Sequence, residues 1–261
     1  MQANLCMYNP QTHVWVQNVI PTMGFVNGFP LGIMTPVNPI RILLLDAGNT
    51  ILYVNIDLIQ SALAGRGIPI SCDRLREVEL QVRFRLDTPE LIRATTDRSR
   101  WDHYYGTLLD EVGAPREILD VLREYHADRN LWDYVPAEIP ATLERLQPRF
   151  RLGVVSNSNG SVEAVLRRQG LAKFFETIVD STRVGVEKPD PKIFRIALAR
   201  MGAYRGETAY VGDLYNVDIV GARRAGLTAI LLDPGNLHGD KDCPRIRTLT
   251  ELPDLPSSFF R

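Results

Sequence analysis

Six polar residues in this chain sit where short apolar runs end or directly ahead of a helical pattern. Asp46 closes Arg41-Ile42-Leu43-Leu44-Leu45-Asp46 and is followed by the small, flexible Ala47-Gly48-Asn49-Thr50. Ser156 and Asn157 close Val154-Val155-Ser156-Asn157. Lys188 stands in Glu187-Lys188-Pro189-Asp190-Pro191, directly ahead of a helical pattern. Asp213 and Asp218 follow the apolar run at Val211-Gly212. In a parallel sheet, groups at the carboxyl ends of strands converge on one edge, where open α/β sheets bind their ligands. A carboxylate that can attack, hydroxyl and ammonium donors, and a pair of hard oxygen ligands then face one point. That set suits phosphoryl transfer: the carboxylate is the nucleophile, Mg²⁺ is held by oxygens, and the cation and hydroxyl balance charge on the phosphoryl group. Taken singly, each residue has a plain structural reading. Ser156 reads as a turn residue, Lys188 as a solvated surface lysine, Asp213 as part of a turn and Asp218 as a helix N-cap. Only the joint pattern argues for a site.

The elements that must position these groups are legible from periodicity. Strands are expected at Ile42–Asp46, Phe150–Ser156, Glu176–Asp180, Thr208–Asp213 and Leu227–Asp233, each apolar enough to be buried on both faces. Helices are expected at Ala137–Gln147, Ser161–Gly170, Pro191–Met201 and Asn216–Ala225. Asp190 is a suitable N-cap ahead of Pro191, and Gly226 a suitable stop after Arg223-Arg224-Ala225. The pattern predicts an α/β fold with a doubly wound, right-handed parallel sheet. Between the first two strands lies a long helical stretch, with helices at Cys72–Asp87, Thr88–Thr96, Ser99–Glu111 and Arg116–Trp132. This stretch reads as an inserted helical bundle over the first strand's carboxyl end. A short strand is expected within Arg245–Thr250.

The ordered set resembles the haloacid dehalogenase (HAD) superfamily of hydrolases. That family's motifs run Asp-x-Asp-x-Thr, a Ser or Thr after a strand, a Lys before a helix, and Gly-Asp-x-x-x-x-Asp. They are matched at Asp46…Thr50, Ser156, Lys188 and Gly212-Asp213…Asp218. The resemblance covers roughly Arg41 to Asp233 and implies a HAD-like, Rossmannoid core with a helical cap domain inserted after the first motif. It further implies a hydrolase, with a phosphatase favoured, acting on a small phosphorylated compound. Asp46 would be the nucleophile. Asp46, the Gly48 carbonyl and Asp213 would ligate Mg²⁺, with Asp218 acting through water or as an orienting group. Ser156 and Lys188 would hold the phosphoryl oxygens. Thr50 and Asn157 would support the loops on the substrate side.

One motif position departs from the family. Phosphatases of this family use the second aspartate of the first motif to protonate the leaving group and to deprotonate water. Gly48 occupies that position. General acid–base help is worth about 10²–10⁴-fold, so slow turnover of alkyl phosphates is expected. Two branches dispense with that aspartate. The 2-haloacid dehalogenases release halide without a proton and need no Mg²⁺, but usually lack the aspartate pair seen at Asp213 and Asp218. The phosphonate-cleaving branch needs a cap lysine, and residues 55–134 contain none. A non-catalytic member that binds a phosphorylated ligand or a partner is the remaining alternative. The insert carries Arg74, Arg76, Arg83, Arg85, Arg93, Arg98 and Arg100. Most are expected on a solvated face, with one or two free to clamp a substrate anion. Trp101-Asp102-His103-Tyr104-Tyr105 reads as helix core, with Asp102 or His103 the remote candidates for a replacement acid.

Composition narrows the rest. The chain has 261 residues, 45% of them hydrophobic, and a net charge of −1. That is enough for a large core and offers no basic field for nucleic acid. Cys6, Cys72 and Cys243 are few and scattered, which suits a reduced, cytoplasmic setting and argues against a zinc site. No stretch reaches the roughly 18 apolar residues of a membrane span. Residues 1–40 hold no Asp, Glu, Lys or Arg and are broken by prolines, so a poorly ordered extension is expected there. The expected division is therefore 1–40 as extension, 41–55 with 135–261 as the α/β core, and 56–134 as the cap. Oligomeric state and substrate identity are not legible.

Overall fold

The computed structural model describes residues 39–260, with the side chains of residues 97 and 98 excepted. Ahead of them it describes only the backbone of two short antiparallel pairs, Cys6–Asn9 with Val14–Gln17 and Phe25–Val26 with Phe29–Pro30. The expected poorly ordered stretch therefore falls largely outside the described residues, as does the side chain of Arg98.

Six parallel strands form the sheet: β1 (Ile42–Leu45), β2 (Arg151–Ser156), β3 (Thr177–Asp180), β4 (Thr208–Gly212), β5 (Thr228–Leu232) and β6 (Arg245–Ile246). Their spatial order is β6-β5-β4-β1-β2-β3. The chain winds one way from β1 to β3 and the other way from β4 to β6. The winding reverses between β1 and β4, where such folds open a ligand crevice. Register brings the strand ends level there, with Leu45 opposite Val211 on one side and Val154 on the other.

The β1 residues are wholly buried, as a central parallel strand requires. Alternation splits the core in two. Leu43, Leu45, Val154 and Val211 pack under Ile139, Leu143 and Leu146 of α6 (Glu138–Leu146) and under α7 (Val162–Arg168). Ile42, Leu44 and Tyr210 face α9 (Pro191–Met201) and α10 (Val220–Ala225) instead. The sequence cues at α9 and α10 act as expected. Asp190 accepts a hydrogen bond from the Lys192 amide at 2.8 Å, and Gly226 ends α10 at φ 84°.

Between β1 and α6 lie five helices: α1 (Ile56–Ala64), α2 (Cys72–Leu86), α3 (Pro89–Ala94), α4 (Asp97–Glu111) and α5 (Ile118–Arg129). They have a core of their own, built on Ile59, Leu63, Leu75, Val78, Val82, Tyr105, Leu108 and Leu122. Helix α1 goes beyond the sequence assignment. Its signals are short but present: Ile56, Ile59 and Leu63 at helical spacing, and Asn55 as N-cap accepting from the Leu58 amide at 3.1 Å. A four-residue α8 (Ser181–Val184) follows β3. Among the described residues no helix is long and apolar enough to cross a membrane.

The helix expected at Asn216–Ala225 begins differently. Tyr215–Ile219 is a wider π-type turn before α10. Within it the Asp218 carboxylate turns back to accept the Leu214 amide at 2.9 Å. Asp218 is thus no N-cap, and single π turns recur where a side chain must be re-aimed.

Candidate active site

The β1 strand delivers Asp46 at its carboxyl end, with the backbone amide tied to the Val211 carbonyl at 2.8 Å. Lys188 enters from the loop ahead of α9. Its ammonium donates to Asp46 Oδ1 at 2.7 Å, to Asp218 Oδ1 at 2.7 Å and to the Tyr210 hydroxyl at 2.9 Å. All three donor protons of the ammonium are thereby used. The lysine is 2% exposed, so its aliphatic stem is core and only its head faces the crevice. Asn157 fixes the lysine's backbone on both sides, accepting from the Lys188 amide at 2.7 Å and donating to the Lys188 carbonyl at 3.0 Å. Sequence groups 31 residues apart are in this way locked together.

Asp213 completes the cluster. One carboxylate oxygen each from Asp46, Asp213 and Asp218 lie within 4.8 Å of one another, and all three residues are buried. Asp218 is held by Lys188 and Tyr210 on Oδ1 and by the Leu214 amide on Oδ2. Gly212 makes this packing possible: a Cβ there would lie 2.4 Å from Asp218 Cγ. Three buried carboxylates together are costly when charged. Burial, reinforced by the neighbouring aspartates and opposed by Lys188, pushes Asp46 up to about 7. Burial pushes Asp213 up to about 6, against the pull of a nearby guanidinium. Burial alone would lower Lys188, but Asp218 and Asp46 raise it above the ordinary lysine value. The lysine is therefore a fixed cation.

A cavity of about 910 Å³ opens over this cluster and is walled by both the sheet edge and the helical insert. Ligand pockets commonly span about 300–1,000 Å³. Asp46, Gly48, Ser156, Asn157, Lys188 and Asp213 all contribute to its wall. Thr50 and Asp218 do not. Thr50 is wholly buried, with a hydroxyl that has no partner, and Asp218 lies behind Lys188. Ser156 is only 3% exposed and its hydroxyl donates to the Asn157 carbonyl at 3.3 Å.

Arg83, named among the insert arginines but not singled out from them by the sequence, is the one that, among the described residues, reaches the carboxylate cluster. It lies on α2 and donates to Asp213 Oδ2 at 2.7 Å, while its Nε lies 3.4 Å from Glu79 Oε1. Glu79 in turn accepts from Asn49 at 3.3 Å and from the Tyr104 hydroxyl. A signal was there. Glu79 and Arg83 are an i,i+4 acid–base pair, and Glu79 falls among Leu75, Val78 and Val82 on the apolar face, where an unpaired charge would not survive. Arg74, Arg76, Arg85 and Arg93 are solvated and paired with local acids, as expected of them. His103 is exposed and does not line the cavity; Asp102 does, but its carboxylate is held by Arg123 at 3.0 Å. Trp101 and Tyr104 line the cavity, whereas Tyr105 is core. Asp87 at the end of α2 accepts from the Asn216 amide at 3.1 Å and is pushed up to about 7 by burial.

Removing one partner of a buried ion pair strands the other. Arg83→Met is therefore expected to destabilise the protein by roughly 3–5 kcal/mol, measured by urea unfolding. A loss below 1 kcal/mol would show that Asp213 and Glu79 do not depend on it.

Comparison with known proteins agrees with this geometry. The profile of the haloacid dehalogenase-like hydrolases matches residues 40–226. A glyceraldehyde 3-phosphate phosphatase of Methanopyrus kandleri is 33% identical over 156 residues, covering 56% of this chain and 67% of that protein. Among solved structures, a HAD phosphatase from Thermococcus onnurineus aligns over 82% of this chain and 97% of that one, with 25% identity and a TM-score of 0.54. A 2-haloacid dehalogenase from Pseudomonas syringae aligns with the same coverage, at 26% identity and a TM-score of 0.53. With a family match spanning most of its length and a six-stranded parallel sheet carrying a helical insert, this chain belongs to the haloacid dehalogenase-like hydrolases.

Proposed function

We propose that the protein is a Mg²⁺-dependent phosphatase-type hydrolase of a small phosphorylated compound, working through an aspartyl intermediate on Asp46. The observation that carries this reading is the buried cluster in which Lys188 joins Asp46 to Asp218 at 2.7 Å each, with Asp213 alongside. The phosphatase relative supports the same chemistry. The residues present fit a hard divalent cation: oxygen donors converge, and their shared burial leaves them short of positive charge. Asp46, Asp213 and the Gly48 carbonyl would hold it, and Asp218, with both oxygens engaged elsewhere, would orient Lys188. When bound, Mg²⁺ supplies charge that keeps Asp46 ionised and offsets the phosphoryl oxygens.

In this reading Asp46 attacks phosphorus, and the bond from phosphorus to the leaving oxygen breaks. The Lys188 proton now given to Asp46 and the Ser156 hydroxyl now given to the Asn157 carbonyl turn to the phosphoryl oxygens, and Asn157 holds Lys188 in register. The leaving oxygen takes its proton from water, because Gly48 has none to give. A second water then attacks phosphorus of the aspartyl phosphate, releasing phosphate and restoring the Asp46 carboxylate. The helices of residues 56–134 act as the cap that walls the site from solvent. Asp213 and Asp218 favour this reading over carbon–halogen cleavage, which needs no cation cradle.

The test is a panel of phosphate esters, acyl phosphates and 2-haloacids, each run with Mg²⁺ and with EDTA. Phosphate release that requires Mg²⁺ is the expected result. Halide release in EDTA would replace the phosphatase reading with the dehalogenase one. Binding of phosphate without turnover of any panel member would mark a non-catalytic member.

A further inference from the structure

Two side chains at the cavity wall hold buried hydrogen-bond donors that lack an acceptor among the described residues. Arg100 and Trp101, adjacent on α4, both line the cavity. The two terminal nitrogens of Arg100 and the indole nitrogen of Trp101 are buried and have no hydrogen-bond partner among the described residues. Arg100 has one charged neighbour there, Glu187, whose carboxylate lies 3.5 Å from its guanidinium. That is longer than the roughly 2.7–2.9 Å of a charge-assisted hydrogen bond. The Arg100 side chain is only 13% exposed, so water does little to compensate it. Buried donors are almost always satisfied in native proteins, and clustered exceptions call for an acceptor. Two polar neighbours on the cavity wall are engaged elsewhere. Tyr104 gives its hydroxyl to Glu79, and Arg123, nearly half exposed, is committed to Asp102 and Asp120.

The position is informative. Glu187 is the residue before Lys188, so its ion pair with Arg100 tethers this donor pair beside the loop that brings Lys188 to Asp46. The guanidinium fork matches a carboxylate or phosphate with two parallel hydrogen bonds. The Trp101 ring is backed by Tyr105 at 4.5 Å and by His126 at 5.4 Å between centroids, which holds the indole in place. Asp46 and Lys188 line the same cavity as Arg100 and Trp101.

We propose that Arg100 and Trp101 form a second oxyanion subsite, which selects phosphorylated substrates carrying a distal carboxylate or phosphate. The proposal rests on the reading of Asp46 as the phosphoryl end of the site. The phosphoryl group lies at Asp46 and Lys188, and the distal oxyanion accepts from Arg100 and Trp101. Arg100 and Trp101 touch the part of the substrate that does not react and bind it equally in ground and transition states, so they act on affinity rather than on the chemical step.

The experiment compares three probes: glycerol 3-phosphate, 3-phosphoglycerate and propane-1,3-diol bisphosphate. They share a phosphoryl end and differ in a neutral, carboxylate or phosphate distal group. Binding is followed by calorimetry with wild type, Arg100→Gln and Arg100→Lys, and turnover with Mg²⁺ is measured alongside. The two probes with an anionic distal group are expected to bind wild type more tightly than glycerol 3-phosphate. Arg100→Gln should weaken them about 10- to 100-fold and leave glycerol 3-phosphate within about twofold. Arg100→Lys should restore part of the loss. Whichever of these two probes responds more to Arg100 identifies the distal group. Where turnover is seen, the effect should fall on KM and spare kcat. Equal binding of all three probes, or equal weakening of all three by Arg100→Gln, overturns the subsite. Selective binding without turnover keeps the subsite and defeats the hydrolase reading instead.

Discussion

Asp46→Asn is expected to reduce phosphate release by at least about 10⁴-fold while making the metal-free protein more stable at pH 8. Loss of the nucleophile explains the first effect. The second follows from burial. The Asp46 carboxyl is raised from an ordinary 3.8 to about 7, chiefly by desolvation. Between those values the folded protein keeps a proton that the unfolded chain has already released. Stability therefore falls as pH rises from about 4 to about 7, and the full penalty is present above 7. Asparagine carries no such penalty and still offers an oxygen to Lys188, which also keeps Asp218. The gain should be on the order of 1–3 kcal/mol at pH 8 in EDTA and smaller at pH 4.5, read from urea unfolding. A variant that is less stable than wild type at both pH values would mean that the Lys188 ion pair outweighs the buried charge.

The second large effect is a gain. Gly48→Asp is expected to accelerate hydrolysis of alkyl phosphates by about 10²–10⁴-fold, because it supplies the missing proton donor. The site has room for the new side chain's first atom. A Cβ at position 48 would lie 3.5 Å from Trp132 Cδ1 and Nε1, an ordinary contact, and the backbone is not in the left-handed region. The gain should depend on the leaving group. Glycerol 3-phosphate, which departs as a basic alkoxide, should gain the most. p-Nitrophenyl phosphate, which needs no proton, should change by less than about tenfold. Equal effects on the two, or none on either, would show that proton transfer at this position does not limit the reaction.

Much of the frame was legible because its signals are local. Buried parallel strands must be nearly all apolar, so Ile42–Leu45 and Thr208–Gly212 stand out, and the polar residues that end them mark the sheet edge. The Asp190-Pro191 start of α9 is likewise a matter of capping chemistry. What the sequence hid depends on contacts across long separations. Arg83 looked like any other helix arginine until the fold brought Asp213, 130 residues away, within 2.7 Å. Tyr210 read as one more apolar strand residue, yet its hydroxyl reaches Lys188 and Asp218. The π-type turn at Tyr215–Ile219 could not be read either, since it answers to the placement of Asp218 rather than to propensity. Trp101 was read as helix core, and it is half that: its ring packs on Tyr105 while its edge joins the cavity wall.

The central claim is that Asp46 becomes covalently phosphorylated. It is tested most directly by mixing the protein with p-nitrophenyl phosphate and Mg²⁺, quenching in acid within milliseconds and mapping the peptides by mass. The account predicts one phosphoryl group on the peptide that contains Asp46, absent when EDTA replaces Mg²⁺ and absent in Asp46→Asn. Steady release of phosphate with no phosphorylated peptide at any quench time, or undiminished release by Asp46→Asn, would contradict it.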